Sequence, residues 1–438
     1  MARRSKHPQG HAAGKPGRAP RGAAAAGAGR AGRGGRGQGR AHDKGAGGAA
    51  EALPALSSLS DVPPFDKLSM GEAQREAFAL DVAELAAEGI DVREVEPACV
   101  VRLDRSFPAV VTASGIVRAE FSFRFGVVRE PSAAVGDWVC LRRPHDHDMA
   151  VIEFVLPRES DIARWRGGSR GKRQTLAANV DVVLVAQALG RRELDLDRIV
   201  RSAVIAEDCH ARAAVVLTKA DRAGAELLER DLGLVRRTLG EDCPLAVTAA
   251  GARTGGGASG GSGGTRASAE DLRALAEVCR GQGVSWGVEG VLGLVPRGTV
   301  AIVLGESGAG KSTLLNALLG HDALEVGRVR ERDDAGRHTT VARRMVDLPG
   351  AGVIVDEPGL RSLPLVGHER GLARVFPDVA EAASACRFRD CTHTIEPGCE
   401  VRARAHTGEI PRERADAYVA LAQEMRRSAG SLDPDITL

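Results

Sequence analysis

No stretch of the sequence is long and apolar enough to cross a bilayer as a helix. Acid is nearly missing from the first fifty residues, where Asp43 stands alone among Arg3, Arg4, Lys6, Lys15, Arg18, Arg21, Arg30, Arg33, Arg36, Arg40 and Lys44. Mostly Ala, Gly and Pro lie between those cations. Such a stretch cannot bury apolar surface, so a disordered basic tail is expected over residues 1–60. The tail suits a polyanion such as RNA, or it is a solubilising extension with no partner of its own. The Ala run near residue 23 is short, flanked by Arg and without a leucine-rich centre, so a signal peptide is not expected. Cysteine is sparse: Cys99, Cys140, Cys209, Cys243 and Cys279 are scattered, and Cys386, Cys391 and Cys399 cluster near the end. That distribution excludes a disulfide framework and fits reduced thiols with one metal site. A cytoplasmic monomer is expected, with no membrane partner.

What is present falls into blocks. Residues 61–96 form a helical lead-in, in which Ala77, Leu80, Val82, Ala83, Leu85 and Ala86 make an apolar stripe between Met70 and Gly89. Residues 97–160 alternate apolar and polar positions in short runs such as Ala109-Val110-Val111-Thr112, separated by turns such as Ser114-Gly115. Strands this short and closely spaced predict a small β-barrel of OB type. Arg102, Arg105, Arg118, Arg124, Arg129, Arg142 and Arg143 recur through it, either as an RNA-facing patch or as the solvated face of each strand. Strand and helix patterns then alternate over residues 175–361, the signature of a parallel α/β sheet. A Gly/Ser-rich insertion over 251–269 reads as a flexible loop. Residues 362–438 read as a small helical domain stapled by a metal.

Within the α/β block, Gly305-Glu306-Ser307-Gly308-Ala309-Gly310-Lys311-Ser312 matches G-x-x-x-x-G-K-[ST] at every position, between the apolar strand Thr299–Leu304 and the helical Thr313–Leu319. Glycines let backbone N–H groups curl around phosphate oxygens. Lys311 would reach the β- and γ-phosphates, and Ser312 would ligate Mg²⁺. A base-reading candidate, Thr218-Lys219-Ala220-Asp221, ends another apolar strand upstream. The Asp221 carboxylate can accept from N1 and N2 of guanine, and the Lys219 stem can lie against the ring. Thr248-Ala249-Ala250 offers a last base-contacting loop. An ordinary GTPase places the base-reading motif after the phosphate loop. Ligands bind at the C-terminal ends of strands, whatever the order of those strands in sequence. The reversed order therefore predicts a circularly permuted GTPase. Two Asp-x-Pro-Gly strings compete for the second switch. Arg343–Asp347 and Gly352–Asp356 read as paired strands, which leaves Asp347 at a hairpin turn and assigns Asp356 and Gly359 to Mg²⁺ and the γ-phosphate. Thr340, with Thr339 beside it, would complete the Mg²⁺ shell, and His338 would orient the attacking water. Leu360 stands where many GTPases carry a water-orienting Gln.

Cys386-x4-Cys391-x-His393-x5-Cys399 supplies three thiolates and one imidazole, a closed set that fits one structural Zn²⁺. Arg387, Arg389, Arg402 and Arg404 surround it and can meet phosphates.

Together these motifs resemble the ribosome small-subunit-dependent GTPase A family, from about Ala98 to Met425. The likeness rests on Ala177-Ala178-Asn179-Val180-Asp181, Gly336–Thr340, Asp356–Gly359 and the Cys386–Cys399 spacing. It implies an OB barrel, a permuted GTPase domain and a zinc domain. It also implies hydrolysis of GTP to GDP stimulated by the 30S subunit and its rRNA, a role in late small-subunit maturation, and His338 in the catalytic switch. The chain departs from that pattern at Thr218, where Asn is usual, and in its long basic tail and Gly/Ser insertion. An ATP-binding-cassette reading fails because the two Walker-like strings lie too close together and no Leu-Ser-Gly-Gly-Gln occurs. An RNA-binding assembly factor that senses guanine nucleotide without hydrolysing it remains the rival.

Overall fold

The computed structural model describes residues 61–104, 107–124, 133–166, 172–190, 193–251, 267–321, 343–356 and 368–429. The basic tail, most of the Gly/Ser insertion, His338, Thr339, Thr340, Gly359 and Leu360 lie outside the described residues.

Five strands close a barrel: β1 (Val95–Leu103), β2 (Ala109–Thr112), β3 (Gly115–Phe121), β4 (Trp138–Arg142) and β5 (Ala150–Val155). β1 pairs antiparallel with both β2 and β4, and the parallel pair β3–β5 completes the ring. Alternation fills it. Ala98, Val100, Val110, Ala119, Val139, Leu141, Ala150 and Ile152 form the interior, while Cys99, Val101 and Val111 face the larger core outside. Helix α1 (Glu72–Ala87) packs on β4.

The barrel arginines are neither a free basic patch nor a merely solvated face. Arg102 and Arg118 share the buried Asp104, at 2.8 and 2.6 Å. Arg142 and Arg124 share Glu153, and Arg143 meets Glu96. Those five positions are thus held in internal ion pairs, while Arg105 and Arg129 lie outside the described residues.

A two-stranded sheet follows, β6 (Asp161–Arg166) and β7 (Lys172–Ala178), across an interval to which the sequence gives no element. Its junction with the barrel is polar and buried. Arg158 forks onto Asp137 at 2.7 and 2.8 Å and donates to Thr175. The Asn179 amide donates to Gly136 O, and its carbonyl accepts from the Gln74 amide. Only glycine fits at 136, since a Cβ there would lie 2.1 Å from Ala178 O.

The α/β sheet contains β8 (Val182–Ala188), β9 (Arg212–Thr218), β10 (Leu245–Val247), β11 (Ser285–Trp286), β12 (Val300–Leu304), β13 (Arg343–Asp347) and β14 (Val353–Asp356). Strand order is β11-β10-β9-β8-β12-β14-β13, parallel except for β13, and β13 then pairs with β1 of the barrel. Barrel and sheet therefore share one hydrogen-bonded ladder. The parallel strands are apolar along their length because helices cover both faces. Those helices are α2 (Leu196–Asp208), α3 (Ala225–Leu239), α4 (Ala269–Gly281), α5 (Gly287–Leu292) and α6 (Lys311–Leu319). The chain runs outward from β8 to β11 and then returns to β12 beside β8. The order reverses there, and a doubly wound sheet opens its ligand crevice at that place.

Four helices complete the described chain: α7 (Glu369–Val375), α8 (Pro377–Ser384), α9 (Glu400–Thr407) and α10 (Arg412–Ala429). They dock on α2 and α3 through polar clamps. Arg201 grips Glu424 at 2.5 and 2.7 Å, and Asp208 takes both His368 Nδ1 and the Gly371 amide. The buried Arg414 ties Asp378, Thr238 O and Val375 O together over the Phe376 ring.

Candidate active site

The Gly305–Ser312 loop leaves the end of β12 and enters α6, so its backbone amides face the crevice at a helix N-terminus. Gly305 passes so close to β8 that a Cβ would lie 2.5 Å from Ala186 O. Gly308 and Gly310 take positive φ, 87° and 84°, which curls the loop. The Lys311 ammonium lies over the loop and donates to Gly305 O and, at 2.7 Å, to Glu306 O. Glu306 also pairs with Arg198 of α2, a contact with no signal in the local sequence.

Thr218 ends β9, two strands away, and Lys219, Ala220 and Asp221 follow it. The Thr218 hydroxyl donates to Ala309 O at 2.6 Å, and the Lys219 ammonium donates to Gly308 O. Two side chains therefore join the base-reading loop to the phosphate loop. Burial lowers the Lys219 ammonium below its ordinary value. The Ala220 amide in turn donates to Thr248 O, and the Thr248 amide to Leu217 O, which brings in the loop after β10. A cavity of about 130 Å³ opens between these loops, lined by Thr218, Lys219, Asp221, Thr248, Gly310 and Thr313 among others. The Thr248 hydroxyl is buried there with no hydrogen-bond partner among the described residues. A second hollow of about 520 Å³ runs along Gln187–Gly190 and Glu306–Ala309.

Asp356 ends β14, the parallel neighbour of β12, with Val355 opposite Ile302. Burial pushes its carboxyl up, and the Arg344 guanidinium, 3.8 Å away, opposes that shift. Ser312 lies in the first turn of α6, across the phosphate loop from the end of β12. Hydroxyl and carboxylate oxygens on these neighbouring elements are the donor type a hard dication takes. Asp347 stays apart from them, in the hairpin turn, where it binds Lys67 at 2.5 Å and its amide donates to Asp61 O.

Cys386, Cys391, His393 and Cys399 converge, their ligand atoms all within 4.8 Å of one another. The loop bearing them turns tightly, with His393 at φ 63° and Gly398 at φ 73°. Glu396 holds that loop from within. Its carboxylate accepts from the Thr392 hydroxyl and from the Thr392, Thr394 and Ile395 amides, which draws its pKa down to about 2.

The family described as RsgA GTPase matches residues 286–366. A protein of Streptomyces coelicolor named small ribosomal subunit biogenesis GTPase RsgA is 38% identical over 383 residues, covering 87% of this chain and 92% of that protein. A namesake from Streptomyces avermitilis is 37% identical over 336 residues, with 76% and 80% covered. Among solved structures, YjeQ from Thermotoga maritima superposes with a TM-score of 0.52 at 22% identity, over 76% of this chain and 99% of that one. YloQ, described as a circularly permuted GTPase, gives a TM-score of 0.51 at 19% identity, with 76% and 96% covered. These two share the fold, and the permuted strand order is part of it.

Proposed function

The chain belongs to the RsgA family of small ribosomal subunit biogenesis GTPases, and we propose that it hydrolyses GTP to GDP and phosphate when engaged with the 30S subunit, late in that subunit's maturation. The observation that carries this reading is the joint between the two loops, Thr218 Oγ1 to Ala309 O at 2.6 Å. It sets a guanine-reading carboxylate, Asp221, beside a phosphate loop despite their reversed order in sequence. Base selection falls to Asp221, with Lys219 against the ring. The loop amides and Lys311 hold the phosphates. Ser312 and Asp356, with Thr340, would hold Mg²⁺, which supplies positive charge against the phosphate oxygens. His338 orients the attacking water, and the Gly359 amide meets the γ-phosphate.

For the metal cluster we infer one structural zinc. Zinc bonds of about 2.3 Å to sulfur and 2.0–2.1 Å to nitrogen give tetrahedral edges of roughly 3.8 Å between sulfurs and 3.6 Å from sulfur to nitrogen. Cys386 and Cys399 Sγ stand 3.9 Å apart, and each is 3.5 Å from His393 Nδ1, which supports that reading. All four positions are taken by protein, so the ion staples the loop and leaves no place for substrate. A ribosomal partner supports a cytoplasmic site of action.

The test is GTP hydrolysis by the full chain with and without 30S subunits, with ATP as competitor. Stimulation confined to GTP is expected. Tight GDP binding with no stimulated turnover would replace the enzyme reading with that of a nucleotide-sensing assembly factor.

A further inference from the structure

Across the shared ladder one row of residues stands in register through five strands. Arg118 of β3 is opposite Ala109 of β2, Ala109 is opposite Arg102 of β1, Arg102 is opposite Arg344 of β13, and Arg344 is opposite Asp356 of β14. Directly opposed residues share a face of the sheet, so these side chains line up on one side. Like charges opposed in this way repel, and Arg102 and Arg344 are such a pair. Each has its own acid. Arg102 takes Asp104, which it shares with Arg118, and Arg344 is left with Asp356, its Nε 3.8 Å from Oδ2. Both side chains are largely covered, 25% and 17% exposed, so water screens the contact only in part.

We propose that Arg344 acts on the metal site through Asp356: seated beside the barrel strand, its charge draws on the carboxylate and moderates its hold on the divalent cation. The proposal rests on the reading of Asp356 as a Mg²⁺ ligand. A guanidinium and a dication beside one carboxylate are rivals for it, and the field of the first weakens the binding of the second. Arg344 is fixed on one side by the hairpin and on the other by β1. The seating of the barrel therefore becomes part of the metal site.

The experiment follows the Mg²⁺ dependence of release of a fluorescently labelled GDP from the full chain, with no ribosomal subunits present. Neutralising the rival in Arg344→Met should lower the Mg²⁺ concentration for half-maximal retention at least about threefold. Arg344→Lys, which keeps the charge, should stay near wild type. In an Asp356→Asn background the effect of Arg344→Met should vanish, because the coupling is between these two side chains. Arg344→Gln gives a second neutral variant should the methionine variant fold poorly, as read by thermal unfolding. An unchanged midpoint in the neutral variants, or a shift that persists with Asn at 356, would overturn the proposal while leaving the nucleotide site intact. Failure of the wild type to retain GDP at any Mg²⁺ concentration would remove both readings.

Discussion

Replacing Thr218 by valine keeps shape and β-branching and deletes one hydroxyl. That hydroxyl is buried, and its 2.6 Å bond to Ala309 O is one of two side-chain links between the base-reading and phosphate loops. A neutral hydrogen bond contributes about 0.5–1.5 kcal/mol net, and stranding a buried acceptor costs about 1–3 kcal/mol. The Lys219 link survives in the variant, so a loss of about 1–2 kcal/mol is expected, or roughly 5- to 30-fold in affinity. In the proposed site both GDP and GTP meet the same two loops. They should weaken by one factor, raising KM and leaving stimulated kcat unchanged. Thr218→Ser retains the donor and should bind like wild type. Equilibrium binding of labelled GDP measures the effect, and thermal unfolding of the nucleotide-free chain shows how much of it belongs to the fold. If the valine variant binds within about twofold of wild type and unfolds at the same temperature, the bond does not join the loops, and threonine is only a tolerated substitute for the usual asparagine.

Three further outcomes are expected. Cys391→Ser should abolish stoichiometric zinc, measured by atomic emission, and open α9 and α10 to protease, because the four ligands close one loop. His338→Ala should cut stimulated turnover by about 10²-fold while GDP affinity stays near wild type; equal turnover in the two proteins would remove His338 from the mechanism. Hydrogen bonds from Arg414 hold the Asp378 carboxyl below its ordinary 3.8 against the opposing effect of burial. Its folded value is depressed, so its contribution to stability is present above the ordinary value and is lost as pH falls through the lower one. Asp378→Asn should therefore flatten the acid limb of stability, read as thermal unfolding from about pH 5 to pH 3.

The parts of the site that sequence shows plainly are those whose chemistry demands fixed residue types at fixed spacing. A phosphate cradle needs Gly308, Gly310 and Lys311 at set offsets. A closed metal set needs its sulfurs within one short loop. The hairpin that leaves Asp347 at a turn and Asp356 at a strand end is equally local, and the structure pairs Arg343–Asp347 with Val353–Asp356. Thr218 is harder to read. As a letter in a motif it looks like a loss, because a hydroxyl cannot bridge in two directions as an amide does. Its bond to Ala309 shows which half of that bridge survives, and that required the two loops to be placed side by side.

The arginines of the barrel carry the more general lesson. Alternation marks them as facing away from the barrel interior, and from there sequence offers only solvent or an external polyanion. Their true neighbours are carboxylates whose separations in sequence say nothing of their proximity: Asp104 for Arg118, Glu153 for Arg142, and Glu84 and Glu88 for Arg124. The junction of β1 with β13 is a still longer-range fact, set by strand edges that lie more than two hundred residues apart in sequence. Hairpin register alone would have found one link, since a turn closing Asp347 onto Val353 places Arg344 opposite Asp356. Counting residues back from the turn turns an unremarked arginine into a neighbour of Asp356. The next strand over then makes it a neighbour of the barrel. The row that begins at Arg118 of the barrel thus ends at Asp356 in one hydrogen-bonded sheet, and any influence of the barrel on that carboxylate has a short path of paired strands and ion pairs to follow.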